Sequence, residues 1–354
     1  MSSPASVIAL SSASAALAAV VVFLTYVVVR YSPIVGRIFE EKPMFLPLRV
    51  PPIEGGEDAT FRTRDGLTLA GTYLKARTPT RAGVVVFCHE YLSNRWSVGP
   101  YADHLRDQGF DLFTFDFRNH GESPKDPDYS PLQWVTEHEV YDLQAALAYL
   151  RSRPDADPAG VGLFGVSRGG GTALCVAGRD PRVWGVITDG AFPTRGTMLA
   201  YIIRWAEIYV GNPVFWKAMP ICIFEFLGWS SRIRTEWKLK CRYSDVERGV
   251  ARLAPRPWLA IHGQKDAYIG VDIARALFDR AGEPKELWIV EGAKHNRCRE
   301  KNPALYLARV SSFVRRFAPR ALPDPPAEGR EAGLSAVEFE GIPISPGLGV
   351  PVAG

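Results

Sequence analysis

The sequence predicts an α/β fold: a mostly parallel, eight-stranded sheet with helices on both faces and a short helical insertion acting as a cap. Three observations carry this. Short apolar runs recur along the chain, stretches with helical spacing separate most of them, and one interval is too long and too aromatic for a simple crossover. The chain has 354 residues, 47% of them hydrophobic, enough for one large decorated domain.

The elements follow in order. Residues Val7–Val29, "VIALSSASAALAAVVVFLTYVVV", contain no charge and no proline. As a helix they would span about 34 Å, against a hydrocarbon core of roughly 30 Å. A signal peptide would open on positive charge and have a shorter apolar stretch, and a buried helix would more often carry a polar face. The reading is therefore a membrane anchor after a short N-terminal segment, residues 1–6. Arg30, Arg37, Lys42 and Arg49 follow it, which places the rest of the chain on the cytoplasmic side. Residues 30–58, rich in proline and glycine from Pro43 to Gly56, read as a tether.

Residues Ala59–Ala76 alternate polar and apolar around Asp65-Gly66, a hairpin signal. The next runs are continuous and apolar, as expected of strands buried on both faces: Gly83–Glu90, Asp111–Phe117, Gly160–Ser167, Val183–Phe192, Pro257–Asp266 and Glu286–Gly292. Leu132–Arg151 has helical spacing, with Val135, Val140, Leu143, Ala146, Leu147 and Leu150 on one stripe. Residues 193–256 hold Trp205, Phe215, Trp216, Phe224, Phe226 and Trp229 and read as the cap on a core formed by 59–192 and 257–318. Those rings either pack the cap onto the sheet or line a route for an apolar chain. The segment 319–354 is too rich in proline and glycine to support a packed core and is expected to be disordered.

The formal charge is only +4, with no run of Lys and Arg interleaved with aromatics, so no nucleic-acid partner is expected. Cys88, Cys175, Cys222, Cys241 and Cys298 are odd in number and lack C-x-x-C spacing, which indicates neither a disulfide framework nor a zinc site. Cys88 reads as core and Cys298 as a surface thiol.

Chemistry concentrates at "LFGVSRGGG", Leu163–Gly171. Gly165-Val166-Ser167-Arg168-Gly169 is G-x-S-x-G, placed where a buried strand ends and a helix begins. Such an elbow holds its serine on a strained turn, with small flanking residues where backbone comes close. A serine nucleophile needs a base, and the base an orienting acid. Asp266 closes "LAIHGQKD" and His295 closes "IVEGAKH". Asp189 also ends a strand and is the rival acid. The order Ser…Asp…His, with "DFRNHGES", "GVSRGG", "AIHGQKD" and "GAKHN", resembles the α/β-hydrolase superfamily over roughly residues 60–317. More narrowly, the chain is most similar to the superfamily's membrane-tethered serine hydrolases.

The resemblance implies an α/β-hydrolase fold and a triad of Ser167, His295 and Asp266. It implies an oxyanion hole from the backbone amides of Arg168 and Tyr91, although Glu90 stands where the family usually has glycine. It calls for no metal or organic cofactor. The implied activity is cleavage of an ester or thioester, of a small-molecule or lipid acyl substrate, through an acyl-enzyme. The alternative is a non-catalytic scaffold of the same fold that binds lipid or protein. His89, His120 and His262 fall in turns of the family and read as structural. Asp116 and Arg118 are expected to fix a loop.

Overall fold

The structure is a computed structural model that describes residues 4–41, 48–210, 214 and 217–320. The expected disordered tail lies outside the described residues from 321 onward, as do Phe215 and Trp216. In chain order the elements are α1 (Pro4–Glu40), β1 (Glu57–Arg62), β2 (Thr68–Leu74), β3 (Gly83–Cys88), α2 (Val98–Ala102), β4 (Phe110–Phe115) and α3 (Glu137–Ser152). Then come β5 (Val161–Val166), α4 (Arg168–Ala177), β6 (Val183–Asp189), α5 (Thr194–Val210), α6 (Ile221–Lys238) and α7 (Val246–Ala251). The chain continues through β7 (Trp258–Gly263), α8 (Val271–Asp279), β8 (Lys285–Val290), α9 (Cys298–Lys301) and α10 (Pro303–Phe317).

The eight strands form one sheet in the order β1-β2-β4-β3-β5-β6-β7-β8. The hairpin strand β2 is antiparallel to both its neighbours, and every later pair is parallel. Strands β3, β4 and β7 are buried at every residue, as their unbroken apolar runs require, whereas the edge strand β8 is only half-buried. Strand order reverses at β3, between β4 and β5. Open α/β sheets bind ligands outside the carboxyl ends of strands at such a switch point. Ser167 follows β5 directly at that place.

Two boundaries differ from the sequence reading. The helix expected from Leu132 starts at Glu137. Thr136 caps it: its hydroxyl accepts from the His138 amide, and the Glu139 side chain returns to the Thr136 amide in a capping box. The second difference is at the N-terminus. The tether expected from Arg30 is not a tether over residues 30–40, because α1 runs unbroken to Glu40 and through Pro33. Val35, Ile38 and Phe39 are buried, packed in one cluster with Phe224, Leu227 and Tyr243. Tertiary burial of this stripe outweighs the cost of an internal proline. The segment from Ser12 to Glu40 is long and apolar enough to cross a membrane, with a mean hydropathy of 2.3 over its most apolar window. A signal sequence meets the same criterion.

The cap insertion contains α5, α6 and α7. Its first helix is held by Glu247 on α7, whose carboxylate accepts from the amides of Thr194, Arg195 and Gly196 at 3.0, 2.7 and 3.0 Å. A negative charge at a helix N-terminus meets the exposed amides and the positive end of the helix dipole. Phe224 is buried, while Trp205 stacks on Tyr209 and Phe226 on Trp229.

Candidate active site

Ser167 sits between β5 and α4 with φ 51° and ψ −117°, a conformation that L-residues rarely adopt. The glycines beside it are dictated by contact. A Cβ on Gly165 would lie 2.4 Å from the Gly169 carbonyl oxygen, and one on Gly169 would lie 2.2 Å from that of Cys88. The turn is closed by the Ser167 amide, which donates to the Asp189 carbonyl at 2.7 Å.

Ser167 Oγ lies 2.9 Å from His295 Nε2, and His295 Nδ1 lies 2.6 Å from Asp266 Oδ2. The other Asp266 oxygen accepts from the amides of Tyr268 and Ile269, both at 2.9 Å. Burial acts to raise the Asp266 pKa. The hydrogen bond and charge of His295, with the Ile269 amide, outweigh it and hold the carboxyl below its usual range. Asp266 is therefore ionised at neutral pH and keeps the imidazole proton on Nδ1. That leaves Nε2 free to accept from the serine hydroxyl.

Asp189 does not contact the imidazole in this way. One of its oxygens accepts from the Tyr306 hydroxyl at 3.0 Å, and it also interacts with the Cys298 thiol. Burial pushes its pKa up to about 6. Cys298 is thus not the surface thiol expected: it is fully buried, and burial together with Asp189 raises its pKa. The return of the chain through α9 under the site causes this, and its spacing from His295 gave no sign of it. Cys88 is likewise buried, and burial raises its pKa. His262 is buried too. Its Nε2 lies 3.0 Å from the Ile269 carbonyl, and burial lowers its pKa.

The two amides expected to receive an oxyanion are braced from below. Arg168 opens α4, where amides have no intrahelical acceptor. In the Glu90–Tyr91 peptide, the Glu90 carbonyl is engaged by His89 Nδ1 at 2.7 Å. Peptide planarity then directs the Tyr91 N–H the opposite way. The Glu90 carboxyl is buried and accepts from Ser97 Oγ at 3.2 Å. Burial raises its pKa.

Beneath this loop lies the side chain of Arg168, completely buried. Its guanidinium stands 5.1 Å from the Tyr91 ring and 3.2 Å from His120 Nε2, donates to the Leu132 carbonyl at 3.0 Å and pairs with Glu139 at 3.4 Å. Asp116 receives the Arg95 amide, the Arg95 guanidinium and the Glu122 amide. Arg118 pairs with Asp65, Asp126 and Asp142.

Sequence reasoning missed three parts of this arrangement. It assigned Arg168 only a backbone role. It missed Tyr268, whose ring meets the His295 ring edge-on at 5.8 Å and whose carbonyl accepts from Tyr201 of the cap at 3.1 Å. It also missed Glu139, although the T-x-x-E spacing of Thr136 and Glu139 was a readable signal.

A family model described as the alpha/beta hydrolase fold matches residues 83–221. The chain is 26% identical to the uncharacterized protein YfhR of Escherichia coli K12 over 264 residues, 73% of this chain and 80% of that one. It is 36% identical over 130 residues to the thiohydrolase aneE of Aspergillus aculeatus, 36% of this chain and 38% of that one. Among solved structures, an esterase of Pyrococcus furiosus superposes with a TM-score of 0.57 at 20% identity, covering 78% of this chain and all of its own. Sheet order, family match and structural likeness agree that the chain has the α/β-hydrolase fold.

Proposed function

We propose that the protein is a serine hydrolase that cleaves an ester or thioester of a hydrophobic acyl group. One observation carries this reading: the unbroken chain from Ser167 Oγ through His295 to Asp266, at 2.9 and 2.6 Å, on a strained elbow. Ser167 attacks the acyl carbonyl while His295 Nε2 takes its proton. The amides of Arg168 and Tyr91 receive the negative charge on the carbonyl oxygen. Protonated His295, held by Asp266, returns the proton to the leaving alcohol or thiol. Water, deprotonated by His295 in turn, releases the acid and restores the serine. The likeness to an esterase of Pyrococcus and, over part of the chain, to a thiohydrolase of Aspergillus supports acyl transfer chemistry.

The apolar half of the reading rests on the cap. A groove of about 770 Å³ runs between α5, α6, α7 and α8; its apolar side is Met198, Ile202, Ile203, Phe224 and Trp229, its rim carries Arg195, Arg232, Glu247 and Arg248, and the triad is not part of its lining. In this reading α1 anchors the protein in a membrane, as in the membrane-tethered serine hydrolases, with the catalytic domain on the cytoplasmic side. A fluorophosphonate probe tests the core of the proposal: it should label the full-length protein and leave Ser167→Ala unlabelled. Folded protein that takes up no probe would instead be a binding scaffold. A chain-length series of esters and thioesters, with Ser167→Ala as the blank, tests the substrate class. kcat/KM should rise well past butyryl, at about 0.8 kcal/mol per buried CH₂.

A further inference from the structure

The cap helix α6 packs along α1 in a fixed register, and the two run in the same direction. Ser231 donates to Ser32 at 3.3 Å, a separation of 199 positions, and Lys238 donates to Glu40 at 2.5 Å, a separation of 198. Between them, a Cβ on Gly36 would lie 3.8 Å from Thr235 Oγ1. The same offset carried toward the N-terminus brings Phe224 and Leu227 level with the turn of α1 from Thr25 to Val28. Val27 is indeed buried in the cluster that holds Phe224 and Leu227. Carried further, it places Ile221 and Cys222 level with Val22 and Phe23. Those residues lie well inside the charge-free stretch that ends at Val29.

The surface at this end of the cap is open and carries several large apolar side chains among exposed Arg204, Glu207, Lys217 and Glu225. Ile208, Tyr209, Val214 and Ile221 are 64%, 64%, 74% and 54% exposed. Val20, Val21 and Val22 on α1 are exposed at the same level. Higher up, near Arg30, stands half-exposed Trp229, stacked on Phe226, as expected of aromatic residues at a membrane–water boundary. The charges of Arg204, Glu207, Lys217 and Glu225 limit the depth the cap can reach.

We infer that the α5–α6 end of the cap, around Ile208, Tyr209, Ile221 and Cys222, enters the same lipid bilayer as α1. The inference rests on the reading of α1 as a membrane anchor. Val22 lies seven residues before Val29, so the cap end would sit about 10 Å below the polar boundary. That matches the depth to which amphipathic helices lie in a membrane surface, roughly 5–10 Å. The occupant of this surface is lipid rather than protein, because the exposed cap residues continue the lipid-facing side of a helix already in register with them.

Cys222 supplies the test. It is exposed, whereas Cys88, Cys175, Cys241 and Cys298 are buried, so the folded full-length protein can be labelled at Cys222 with an environment-sensitive fluorophore. A second full-length protein carrying Cys222→Ser and Val22→Cys reports on α1. Both are placed in phosphatidylcholine vesicles and quenched either by doxyl-labelled lipid or by aqueous iodide. The expected result is strong lipid quenching and at least a fivefold loss of iodide quenching at both positions, relative to the free dye. Iodide quenching at Cys222 with lipid quenching at Val22→Cys overturns the cap insertion and leaves the anchor standing. Iodide quenching at both overturns the anchor as well. Lipid quenching at Cys222 alone overturns the shared register from which the depth was drawn.

Discussion

Replacing Asp266 by asparagine changes one atom and should remove almost all turnover. In the parent, Asp266 Oδ1 accepts two backbone amides at 2.9 Å while Oδ2 faces His295 Nδ1 at 2.6 Å. An asparagine must keep its oxygen on the two amides, since turning it round would lose both bonds, at about 1 kcal/mol or more each. Its NH₂ group then faces Nδ1 and donates to it. The imidazole proton moves to Nε2, where it blocks acceptance from Ser167. In another Ser-His-Asp enzyme this substitution lowers kcat by about 10⁴ through the wrong tautomer, equivalent to about 5.4 kcal/mol of barrier. The assay is kcat on a chromogenic acyl ester, run on parent, Asp266→Asn and Asp189→Asn proteins of matched circular dichroism. Asp189→Asn should retain activity within about tenfold, because Asp189 bonds Tyr306 rather than the imidazole. Folded Asp266→Asn within tenfold of the parent, or a larger loss in Asp189→Asn, would refute the assignment.

Two further outcomes are expected. Gly169→Ala should destabilise the fold by about 3 kcal/mol, the upper range for overpacking, because its Cβ meets the backbone oxygens of Cys88 and His89 at 2.2 and 2.5 Å; chemical denaturation measures it, and an unchanged midpoint would show that the elbow can relax. Asp189 has a folded-state pKa raised from 3.8 to about 6 by burial, so the native state holds its proton more tightly than the unfolded state. Its contribution to stability is complete below about pH 4 and is lost as pH rises through 6. Asp189→Asn should remove that part of the pH dependence, and parallel denaturation curves for the two proteins from pH 4 to 7 would count against it.

What could be read from the sequence was local. The inner parallel strands announced themselves because burial on both faces leaves an unbroken apolar run; the half-buried edge strand β8 showed a shorter one, and the observed ends of all six fall close to the predicted ones. The elbow was readable because Gly165, Ser167 and Gly169 answer to contacts within a few residues or on the adjoining strand. Asp266 and His295 could be placed because each follows a strand whose position in the sheet the runs had already suggested. The docking of α1 was not readable. Val35, Ile38 and Phe39 have helical spacing, but their partner surface lies nearly two hundred positions away on α6. The Pro-rich stretch that follows drew attention to a tether and away from that stripe. The burial of Cys298 and of the Arg168 side chain depended in the same way on where distant segments return.

The buried guanidinium of Arg168 has a consequence for how this site can be varied. The position after the nucleophile is commonly pictured as a place for exchange, since only its amide faces the substrate. Here its side chain reaches Tyr91, His120, Leu132 and Glu139, which come from three separate stretches of chain. The elbow is therefore not a transplantable module. A chimera that imports a different elbow would leave the buried Glu139 carboxylate with its hydrogen bonds from Tyr129 and Thr136 but without the Arg168 guanidinium, and would take that guanidinium from under the Tyr91 ring. Grafts in this protein should succeed only when the Tyr91 loop, the His120 turn and the start of α3 travel together with the serine.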